Sequence, residues 1–463
     1  MRTKIKDLKE KIGQEVTVAG WIDIRRDHGK LIFVDLRDAS GKVQMVALPS
    51  HADAHSLANT VRPEWVVEIK AKVNERPEKM KNPDEENGSI ELEILEMKIL
   101  HKAETPPFDV HTDGYEVNEE VRMKYRYLDL RRPRLAKNLL KRYKIIKFFR
   151  DELDRQGFLE VETPILFKST PEGARDYIVP SRLEHGKFYA LPQSPQQYKQ
   201  LLMASGVEKY FQIARCMRDE DTRGDRQPEF TQLDIEMSFI SQEDVLALIE
   251  ELFTTLVKKL YPEKTITESP WPRLDYKEVM AKYKSDKPDL RKDKNNPDEL
   301  AFVWILNFPL FEPEKEDGHF APSHHMFTAP REEDVSKLAT DPAAVRSYQH
   351  DIALNGFEIA GGSIRIHDAE IQTKIFDLIG FGEEQKRDFN HMLTAFSYGI
   401  PPHGGIASGM DRFISILENE PNIREVIAFP KTGEGKDLLM DSPAEVSEKQ
   451  LKELGLEIKH GKK

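Results

Sequence analysis

The chain has 463 residues, which is too long for one ordinary hydrophobic core and predicts two or three domains. Its 81 acidic residues outnumber 69 basic ones, and the formal net charge of −12 argues against a protein that coats nucleic acid over its whole surface. Charged residues make up 32% and hydrophobic residues 39%, which excludes a disordered chain and predicts a soluble globular protein.

Several other classes of protein are excluded. The sequence has no run of about 18 apolar residues that would predict a membrane-spanning helix. The charged N-terminal segment MRTKIKDLKEKIGQ lacks the apolar centre of a secretory signal. The single cysteine, Cys216, cannot form an intrachain disulfide or a cysteine-based zinc site. We therefore expect a protein of the reducing cytoplasm, without a membrane partner.

Short strands are predicted over residues 13–100. Apolar and polar residues alternate from Val16, through the runs LIFV and VQMV, and again at Ile90, Leu92 and Ile94. Four or five strands in such a segment are typical of a small closed barrel, and the OB-fold is the commonest nucleic-acid-binding form. Weak periodicity around two consecutive prolines then predicts a linker. We place the barrel domain at 1–101 and the linker at 102–120.

A strongly basic stretch follows the linker. Twelve Lys or Arg residues and one Asp lie between Val121 and Arg150. Such a stretch either binds a phosphate backbone or is the solvated face of a helix, and its composition alone favours the solvated face. Apolar residues recur in it at helical spacing: Leu139, Tyr143, Ile146, Phe149 and Leu153. We predict an amphipathic helix with a basic polar face, ended by Gly157.

The rest of the chain, from Phe158 to Lys436, alternates predicted strands, helices and Gly-rich turns. This order predicts an α+β domain around a mainly antiparallel sheet, which we place at 121–463. Its segment 209–239 is predicted to form a strand, a charged loop and a second strand. Arg218 and Glu220 share one face of the first strand.

The second strand of this segment alternates polar and apolar residues. Its polar face is predicted to contain Gln232, Asp234, Glu236 and Ser238. Its apolar face is predicted to contain Leu233, Ile235, Met237 and Phe239. A strand with one charged face either meets water or builds a ligand site, and for an isolated strand the solvent-exposed face is the commoner outcome.

Three motifs in this order resemble those of the class II aminoacyl-tRNA synthetases. The run GFLEVETP (157–164) resembles motif 1, RDE (218–220) with its loop and second strand resembles motif 2, and GGIASGMDR (404–412) resembles motif 3. The longer strings STPEGARDY, LPQSPQQYKQLLM, RGDRQPEFTQLDIEMSF and GGSIRIH resemble bacterial-type aspartyl-tRNA synthetases. The similarity extends from about Ile12 to Ile458.

The resemblance implies formation of an aminoacyl adenylate, in which a carboxylate attacks the α-phosphate of ATP. This step needs positioning and charge neutralisation rather than a protein nucleophile. By resemblance, the catalytic residues are Arg218, which would hold the α-phosphate and the reacting carboxylate, and Arg412, which would hold the γ-phosphate. Asp351 and Glu358 would hold Mg²⁺. The other implied ATP-binding residues are Asp219, Glu220, Gln227, Gly409, Met410 and Asp411.

The resemblance also implies L-aspartate as the amino-acid substrate. Lys199 and Arg365 match the pair that grips its side-chain carboxylate, and asparagine would leave these cations unpaired. The implied receivers of the α-ammonium, directly or through water, are Glu172, Gln196 and Asp234. His324 matches a histidine near the aspartate, whereas His325 stays unassigned.

The barrel would read the tRNA anticodon, since OB-folds stack unpaired bases on aromatic rings. Phe33 resembles the stacking residue, although a place in the barrel core is the alternative. The residues that resemble contacts to base edges and backbone are Arg26, Gln44 and Glu91. His28 resembles a residue of forms that charge both tRNA(Asp) and tRNA(Asn), and an exposed loop histidine is the alternative. Specificity for tRNA(Asp) alone therefore stays open.

One departure from the family is expected between motifs 2 and 3. Bacterial-type members carry an insertion of roughly a hundred residues there, the size of an ordinary domain, whereas this chain has only a bridge at about 292–322. We expect retained activity and, since motif 1 forms the dimer interface in the family, a homodimer. The alternatives are an asparaginyl- or lysyl-type relative, a tRNA-independent amide ligase, and a non-catalytic tRNA-binding protein. The last predicts loss of Arg218, Arg412 or Glu358, and all three are present.

Overall fold

The computed structural model describes residues 2–169, 174–313, 315 and 318–459. The chain divides into two compact units, Met1–Val117 and Asn118–Lys463, and the division falls inside the predicted linker. Among the described residues, no helix combines the length and the apolar character that crossing a membrane requires.

The first unit is a closed barrel of five strands with one α-helix. Its elements are β1 (Glu15–His28), β2 (Leu31–Asp38), β3 (Gly41–Ala47), α1 (Ala52–Thr60), β4 (Val66–Glu75) and β5 (Ile90–His101). The strand order is β1-β2-β3-β5-β4, and only β3 and β5 are parallel neighbours. The predicted closed barrel is therefore confirmed.

Every second side chain along β2 points into the barrel and helps to fill its core. Ile32, Val34 and Leu36 are buried in its hydrophobic core. Phe33 lies between them on the other face of the strand and is only half-buried. The alternative that Phe33 belongs to the barrel core is therefore wrong, because the period of two turns its ring away from that core.

The second unit is built on a large sheet. Its strands are β6 (Leu159–Glu160), β7 (Ile178–Pro180), β8 (Phe188–Ala190), β9 (Lys209–Met217), β10 (Glu229–Ser238), β11 (Thr265–Ile266), β12 (Arg273–Asp275), β13 (Glu299–Leu300), β14 (Phe302–Leu306), β15 (Gln349–Leu354), β16 (Phe357–Ile364) and β17 (His403–Gly409). The order in the large sheet is β12-β14-β15-β16-β17-β10-β9-β6. Only its outer pairs, β12 with β14 and β6 with β9, are parallel. The predicted, mainly antiparallel sheet is confirmed.

Helices cover this sheet. They are α2 (Glu119–Lys124), α3 (Arg126–Asp129), α4 (Pro133–Arg155), α5 (Gln196–Ala204), α6 (Gln242–Leu260), α7 (Tyr276–Tyr283), α8 (Ala369–Leu378), α9 (Glu383–Asp388), α10 (Asn390–Ser397), α11 (Met410–Leu417) and α12 (Glu448–Leu454). The main core lies between the sheet and α4, α6 and α11. The expected bridge at 292–322 contributes β14 to the large sheet and β13 to a separate two-stranded sheet with β11.

Two details of the predicted apolar faces differ from the structure. Phe239, predicted beside Leu233 and Ile235 in the core, is 69% exposed, because β10 ends at Ser238 and the chain turns at Phe239 with φ of 58°. Tyr143, predicted on the apolar face of α4, is 61% exposed. The end of α4 agrees with the prediction, since Gly157 follows it with φ of 81°, as a glycine after a helix does.

The basic stretch before and within α4 mostly binds the protein's own carboxylates. Arg122 and Arg126 are buried and lie 3.4 and 2.7 Å from the buried Asp129, while Arg122 also lies 2.8 Å from Glu425. Arg134 lies 2.8 Å from the same Glu425. Neither a phosphate footprint nor a solvated face describes these arginines, because they pair with carboxylates of the same chain, the nearby Asp129 and the distant Glu425.

We expect Glu425→Gln to make the second unit less stable in a pH-dependent way. Although burial favours its protonated form, the arginines Arg122 and Arg134 lower the pKa of Glu425 to about 2. Because this folded-state pKa lies below the ordinary value of 4.5, the carboxylate stabilises the fold above about pH 4.5, and its contribution is lost as the pH falls toward 2. The variant should lose about 3 kcal/mol in the free energy of unfolding at pH 7.

Urea unfolding of the full chain between pH 7 and pH 3 measures this difference. The gap between the wild type and Glu425→Gln should narrow as the pH falls. Glu434→Gln is the control, because Glu434 pairs with Lys436 on the surface and its loss should change stability little. A gap that stays constant with pH would contradict the assigned role of Glu425.

Candidate active site

Two cavities that share a wall lie on the polar face of the large sheet. The Arg412 cavity, of about 240 Å³, is lined by residues that include Gln227, Phe230, Gly409 and Arg412. The Arg365 cavity, of about 380 Å³, is lined by residues that include Gln196, Lys199, Asp234, His325 and Arg365. Five residues line both cavities: Arg218, Glu220, Gln232, Glu358 and Ala407.

The polar face of β10 forms part of this wall. Asp234 and Glu236 are fully buried, so the expectation of a solvent-exposed face is wrong, and the ligand-site alternative stays a prediction. The neighbouring strand β17 places Gly405 opposite Glu236. A Cβ at Gly405 would lie 2.2 Å from Glu236 Oε2, so only glycine lets the two strands pair around this carboxylate.

Glu236, which the resemblance did not assign, is buried behind the Arg365 cavity and pairs with two cations that line it, Arg365 and Lys199. Its carboxylate accepts hydrogen bonds from Arg365 at 3.0 and 3.1 Å, and Lys199 Nζ lies 3.3 Å away. Burial would raise the pKa of Glu236, but the charges of Arg365 and Lys199 lower it to about 2. Lys199 also donates to Asp234 Oδ1 at 2.6 Å, and Asp234 Oδ2 is buried without a partner in the described part of the chain.

Three groups keep a hydrogen-bond donor available to a ligand in this cavity. Arg365 additionally donates to Ser363 and to the Gly405 carbonyl, which leaves one of its N–H groups without a partner among described residues. Lys199 likewise keeps one of its three donors. The third group is a histidine ring in the same wall.

His325 supplies that third donor. Its Nδ1 accepts a hydrogen bond from the Phe327 backbone N–H at 3.3 Å, so the neutral ring carries its proton on Nε2. This Nε2 is buried and has no partner in the described residues. Burial and the charges of Arg365 and Lys199 lower the pKa of His325 to about 3, which keeps the ring neutral. A carboxylate fits such a set of donors.

Two arginines dominate the Arg412 cavity. The Arg218 guanidinium lies over the Phe230 ring at 5.2 Å, and Arg412 donates to the backbone carbonyl of Glu358 and, at 3.2 Å, to Asp225 Oδ2. Both Nε atoms are buried without a partner among the described residues. Phosphate oxygens would satisfy such donors.

Two carboxylates could hold a divalent cation. Asp351 and Glu358 line the same cavity, and no described group of three or more His, Cys, Asp or Glu side chains surrounds a common point. Loss of hydration at the wall and the charge of Asp351 raise the pKa of Glu358. Two oxygen ligands that repel each other fit Mg²⁺, with water and phosphate completing the coordination. Asp351 also lies 3.3 Å from His324 Nε2, and the His324 ring packs against Phe308.

Four predicted ATP-binding side chains have other contacts. Met410 is buried in the main core, so only its backbone could approach a nucleotide. The Asp411 carboxylate binds Arg142 at 2.5 Å and the Thr231 N–H at 2.9 Å. Gln227 makes two hydrogen bonds with the backbone of Lys431, and Asp219 lines neither cavity and faces Arg175. Glu172 lies outside the described residues.

In the barrel unit, three of the predicted anticodon residues form a chain of hydrogen bonds, and the other two contact each other. Arg26 donates to Gln44 Oε1 at 3.0 Å, and Gln44 Nε2 donates to Glu91 at 2.6 Å. The ring of His28 meets Phe33 edge-on, with centroids 5.5 Å apart. The sequence did not single out Asp35, which binds Arg26 at 2.9 Å and lies two residues after Phe33 on the same face.

The family of this chain follows from its match to known proteins. Residues 118–433 match the class II tRNA synthetases (D, K and N), and residues 16–100 match the OB-fold nucleic acid binding domain. The chain belongs to the class II tRNA synthetases. Of the three motifs of this class II synthetase, motif 1 includes β6 and follows α4, motif 2 connects β9 to β10 and includes β10, and motif 3 includes the end of β17 and the start of α11.

Curated relatives of this class II synthetase match it over nearly their full length. It is 43% identical to the aspartate–tRNA(Asp/Asn) ligase of Rubrobacter xylanophilus, with 96% of this chain and 95% of the relative covered. It is 40% identical to the aspartate–tRNA ligase of Staphylococcus aureus, with 97% of each covered. The first alignment spans 571 positions and includes 96% of the 463 residues of this chain, so about 130 of its positions have no counterpart here.

Solved structures share the fold of this class II synthetase. The asparaginyl-tRNA synthetase of Pyrococcus horikoshii complexed with asparaginyl-adenylate has a TM-score of 0.75 at 21% identity, with 93% of this chain and 98% of that chain covered. The aspartyl-tRNA synthetase of Entamoeba histolytica has a TM-score of 0.71 at 22% identity, with 93% and 91% covered.

Proposed function

We propose that this chain is an ATP-dependent aspartate–tRNA ligase, which forms aspartyl-adenylate and transfers aspartate to the 3′ end of tRNA(Asp) in the cytoplasm. The observation that carries the proposal is the Arg365 cavity, where Lys199, Arg365 and His325 each keep a donor for a carboxylate. The relatives of Rubrobacter xylanophilus and Staphylococcus aureus, both named as aspartate–tRNA ligases, support the same substrate.

In the first step, an α-carboxylate oxygen of aspartate attacks the α-phosphorus of ATP and pyrophosphate leaves. Arg218 lines both cavities, so its guanidinium would hold the carboxylate and the α-phosphate together. Arg412 would bind the γ-phosphate end of the departing pyrophosphate after exchanging its contact with Asp225 for phosphate oxygens. Held by Asp351 and Glu358, Mg²⁺ would neutralise phosphate charge.

In the second step, a hydroxyl at the 3′ end of the tRNA attacks the aspartyl carbonyl and AMP leaves. Lys199 and Arg365 would keep the side-chain carboxylate fixed, while Asp234 Oδ2, which is buried without a described partner, would accept from the α-ammonium. Asparagine would bring an amide to the same donors and leave charge uncompensated, so it should be rejected strongly.

Charging of purified tRNA(Asp) and tRNA(Asn) transcripts with labelled aspartate, ATP and Mg²⁺, and in parallel with labelled asparagine, tests the proposal. Aspartate should be attached to tRNA(Asp), and asparagine to neither tRNA. If neither tRNA accepts aspartate, the proposed ligase is wrong and the non-catalytic tRNA-binding alternative takes its place.

We further propose that this ligase also charges tRNA(Asn). The edge-on contact between His28 and Phe33 supports this proposal, in which Phe33 stacks an anticodon base and the polar ring of His28 allows the third anticodon base of tRNA(Asn) to be accepted as well. The Rubrobacter xylanophilus relative, named for both tRNAs, supports this specificity. The strict tRNA(Asp) enzyme is the alternative.

We expect His28→Leu to lower kcat/KM for tRNA(Asn) by about tenfold, since loss of one polar contact to a base costs 1–3 kcal/mol. The same variant should change kcat/KM for tRNA(Asp) less than threefold. His101→Leu, at the exposed end of β5, is the control and should change neither value. Equal loss for both tRNAs would contradict a role in discrimination.

We also propose that two copies of the chain associate through the surface around α4 and motif 1. Large apolar side chains are exposed there, at Leu140, Tyr143, Leu159 and Ile165. An apolar surface of this kind is suited to a symmetric interface. Sedimentation velocity distinguishes the dimer from a monomer of 53.5 kDa.

A further inference from the structure

Helix α5 (Gln196–Ala204) turns its polar side toward the protein interior. Gln196, Lys199, Gln200 and Met203, at the spacing of one helical face, are all buried. Buried amides and charges are costly unless each is hydrogen-bonded. Lys199 meets Asp234 and Glu236, so the two glutamines must find partners of their own.

The two glutamines form a chain of hydrogen bonds that ends on a backbone carbonyl. Gln196 Nε2 donates to Gln200 Oε1 at 3.1 Å, and Gln200 Nε2 lies 3.1 Å from His403 Nε2. His403 Nδ1 lies 2.8 Å from the Pro401 carbonyl oxygen. No other polar group is needed to complete this chain.

The direction of the chain is fixed at its Pro401 end. A carbonyl oxygen can only accept, so His403 carries its proton on Nδ1 and its Nε2 must accept. Gln200 therefore turns its NH₂ group to His403 and its oxygen to Gln196. Gln196 in turn must donate its NH₂ group, which leaves its side-chain oxygen for the Arg365 cavity that it lines.

The environment of His403 preserves this arrangement. The ring is fully buried, and burial lowers its pKa to about 4 although the charge of Glu236 acts in the opposite direction. The ring is therefore neutral at pH 7, and its Nε2 keeps the lone pair that orients Gln200. A protonated ring would donate from both nitrogens and would reverse the amide of Gln200.

We propose that His403 and Gln200 are positioning residues, which orient Gln196 so that its side-chain oxygen receives the α-ammonium of the amino-acid substrate. This inference rests on the proposed aspartate–tRNA ligase activity and adds two residues to it. The reverse orientation would point the Gln196 NH₂ group at the ammonium, with donors facing donors. The Gln196 oxygen has no hydrogen-bond partner among the described residues, so it is free for this contact.

Aspartate-dependent ATP–pyrophosphate exchange measures the effect. Gln200→Leu and His403→Phe should each raise KM for aspartate about 10- to 100-fold, the range for a hydrogen bond to a charged group, and leave KM for ATP unchanged. His403→Gln should restore most of the affinity, since its side-chain oxygen can accept from Gln200.

Inhibition by succinate distinguishes a lost orientation of Gln196 from a general structural defect of the cavity. Succinate has both carboxylates of aspartate but no ammonium, so Gln200→Leu should leave its inhibition constant unchanged. Equal losses for aspartate and succinate would overturn the proposal, because they would indicate a general structural defect. Gln197→Leu is the matched control: Gln197 lies on α5, is also buried, and binds a histidine, His391, at 2.8 Å, but does not line the cavity. It should leave KM for aspartate unchanged.

A second measurement uses the wild-type chain without substrate, so it does not depend on whether a variant folds. The imidazole ¹⁵N shifts of His403 in the wild-type chain should show the Nδ1–H tautomer at pH 7, and an Nε2–H tautomer would overturn the proposal. This readout does not depend on activity. A wild-type chain with the Nδ1–H tautomer but no aspartate-dependent exchange would show that the proposed function fails while the orientation of the glutamines stands.

Discussion

Replacing Arg218 with alanine is expected to lower kcat for aspartate-dependent ATP–pyrophosphate exchange by at least about a thousandfold, the effect of removing an arginine that stabilises a transferring phosphoryl group. Arg218 lines both the Arg412 and Arg365 cavities, so it is placed to touch both reacting groups. Because this contact strengthens as charge develops on the α-phosphate, kcat should fall more than KM for ATP rises.

Two variants make the test of Arg218 specific. Arg218→Lys keeps the positive charge but loses the planar pair of donors, so it should recover only a small part of the rate. Arg215→Ala is the control, since Arg215 lies on the same strand, β9, at an exposed position where it pairs with Glu229. It should stay within about twofold of the wild type. An Arg218→Ala enzyme within tenfold of the wild type would remove this residue from the reaction.

Replacing Arg365 with methionine should weaken the selection of aspartate over asparagine. It should also lower the free energy of unfolding substantially. The Glu236 carboxylate would lose its two hydrogen bonds to Arg365 and stay buried with Lys199 alone. Removing one partner of a buried pair costs about 3–5 kcal/mol. We expect kcat/KM for aspartate to fall at least about a hundredfold and the preference over asparagine to shrink.

A second substitution separates the two effects of Arg365. Adding Glu236→Gln to Arg365→Met removes the unpaired buried charge, so urea unfolding should show partial recovery of stability, whereas aspartate use should stay lost. Arg346→Met is the control outside both cavities, because Arg346 pairs with Asp334 and Glu333 at a partly exposed site. It should leave KM for aspartate unchanged. Recovery of aspartate use in the double variant would contradict direct recognition by Arg365.

The alternation of residues in the sequence was enough to predict the barrel and the large, mainly antiparallel sheet. The period of two in β10 separated the core residues from Asp234 and Glu236 correctly. It could not decide whether the polar face meets water, because that depends on α5 and β17, which come from distant parts of the chain. The local sequence pattern determines which residues share one face of a strand, whereas burial of that face depends on the tertiary structure.

Roles of single charges were harder to predict. The basic stretch that contains Arg122 and Arg134 was expected to be a solvated helix face, with phosphate binding as the alternative, yet both arginines bind Glu425, about 300 residues away in the sequence. Gln200 and His403 gave no signal, since a buried glutamine in a helix and a histidine at a strand end have no characteristic spacing. Such partnerships exist only after the chain has folded, so composition cannot indicate them.

The close approach of strands at the glycines also bears on how amino-acid specificity can evolve. A Cβ at Gly405 would meet Glu236, and one at Gly361 would lie 2.9 Å from Asp351 Oδ1. The main chain at Gly405 and Gly361 thus packs directly against these two carboxylates. A substitution at either glycine cannot reshape the cavity without displacing the neighbouring carboxylate. A change of specificity toward another amino acid must therefore proceed through the side chains of α5 and of His324 and His325. Substitutions can accumulate there one at a time.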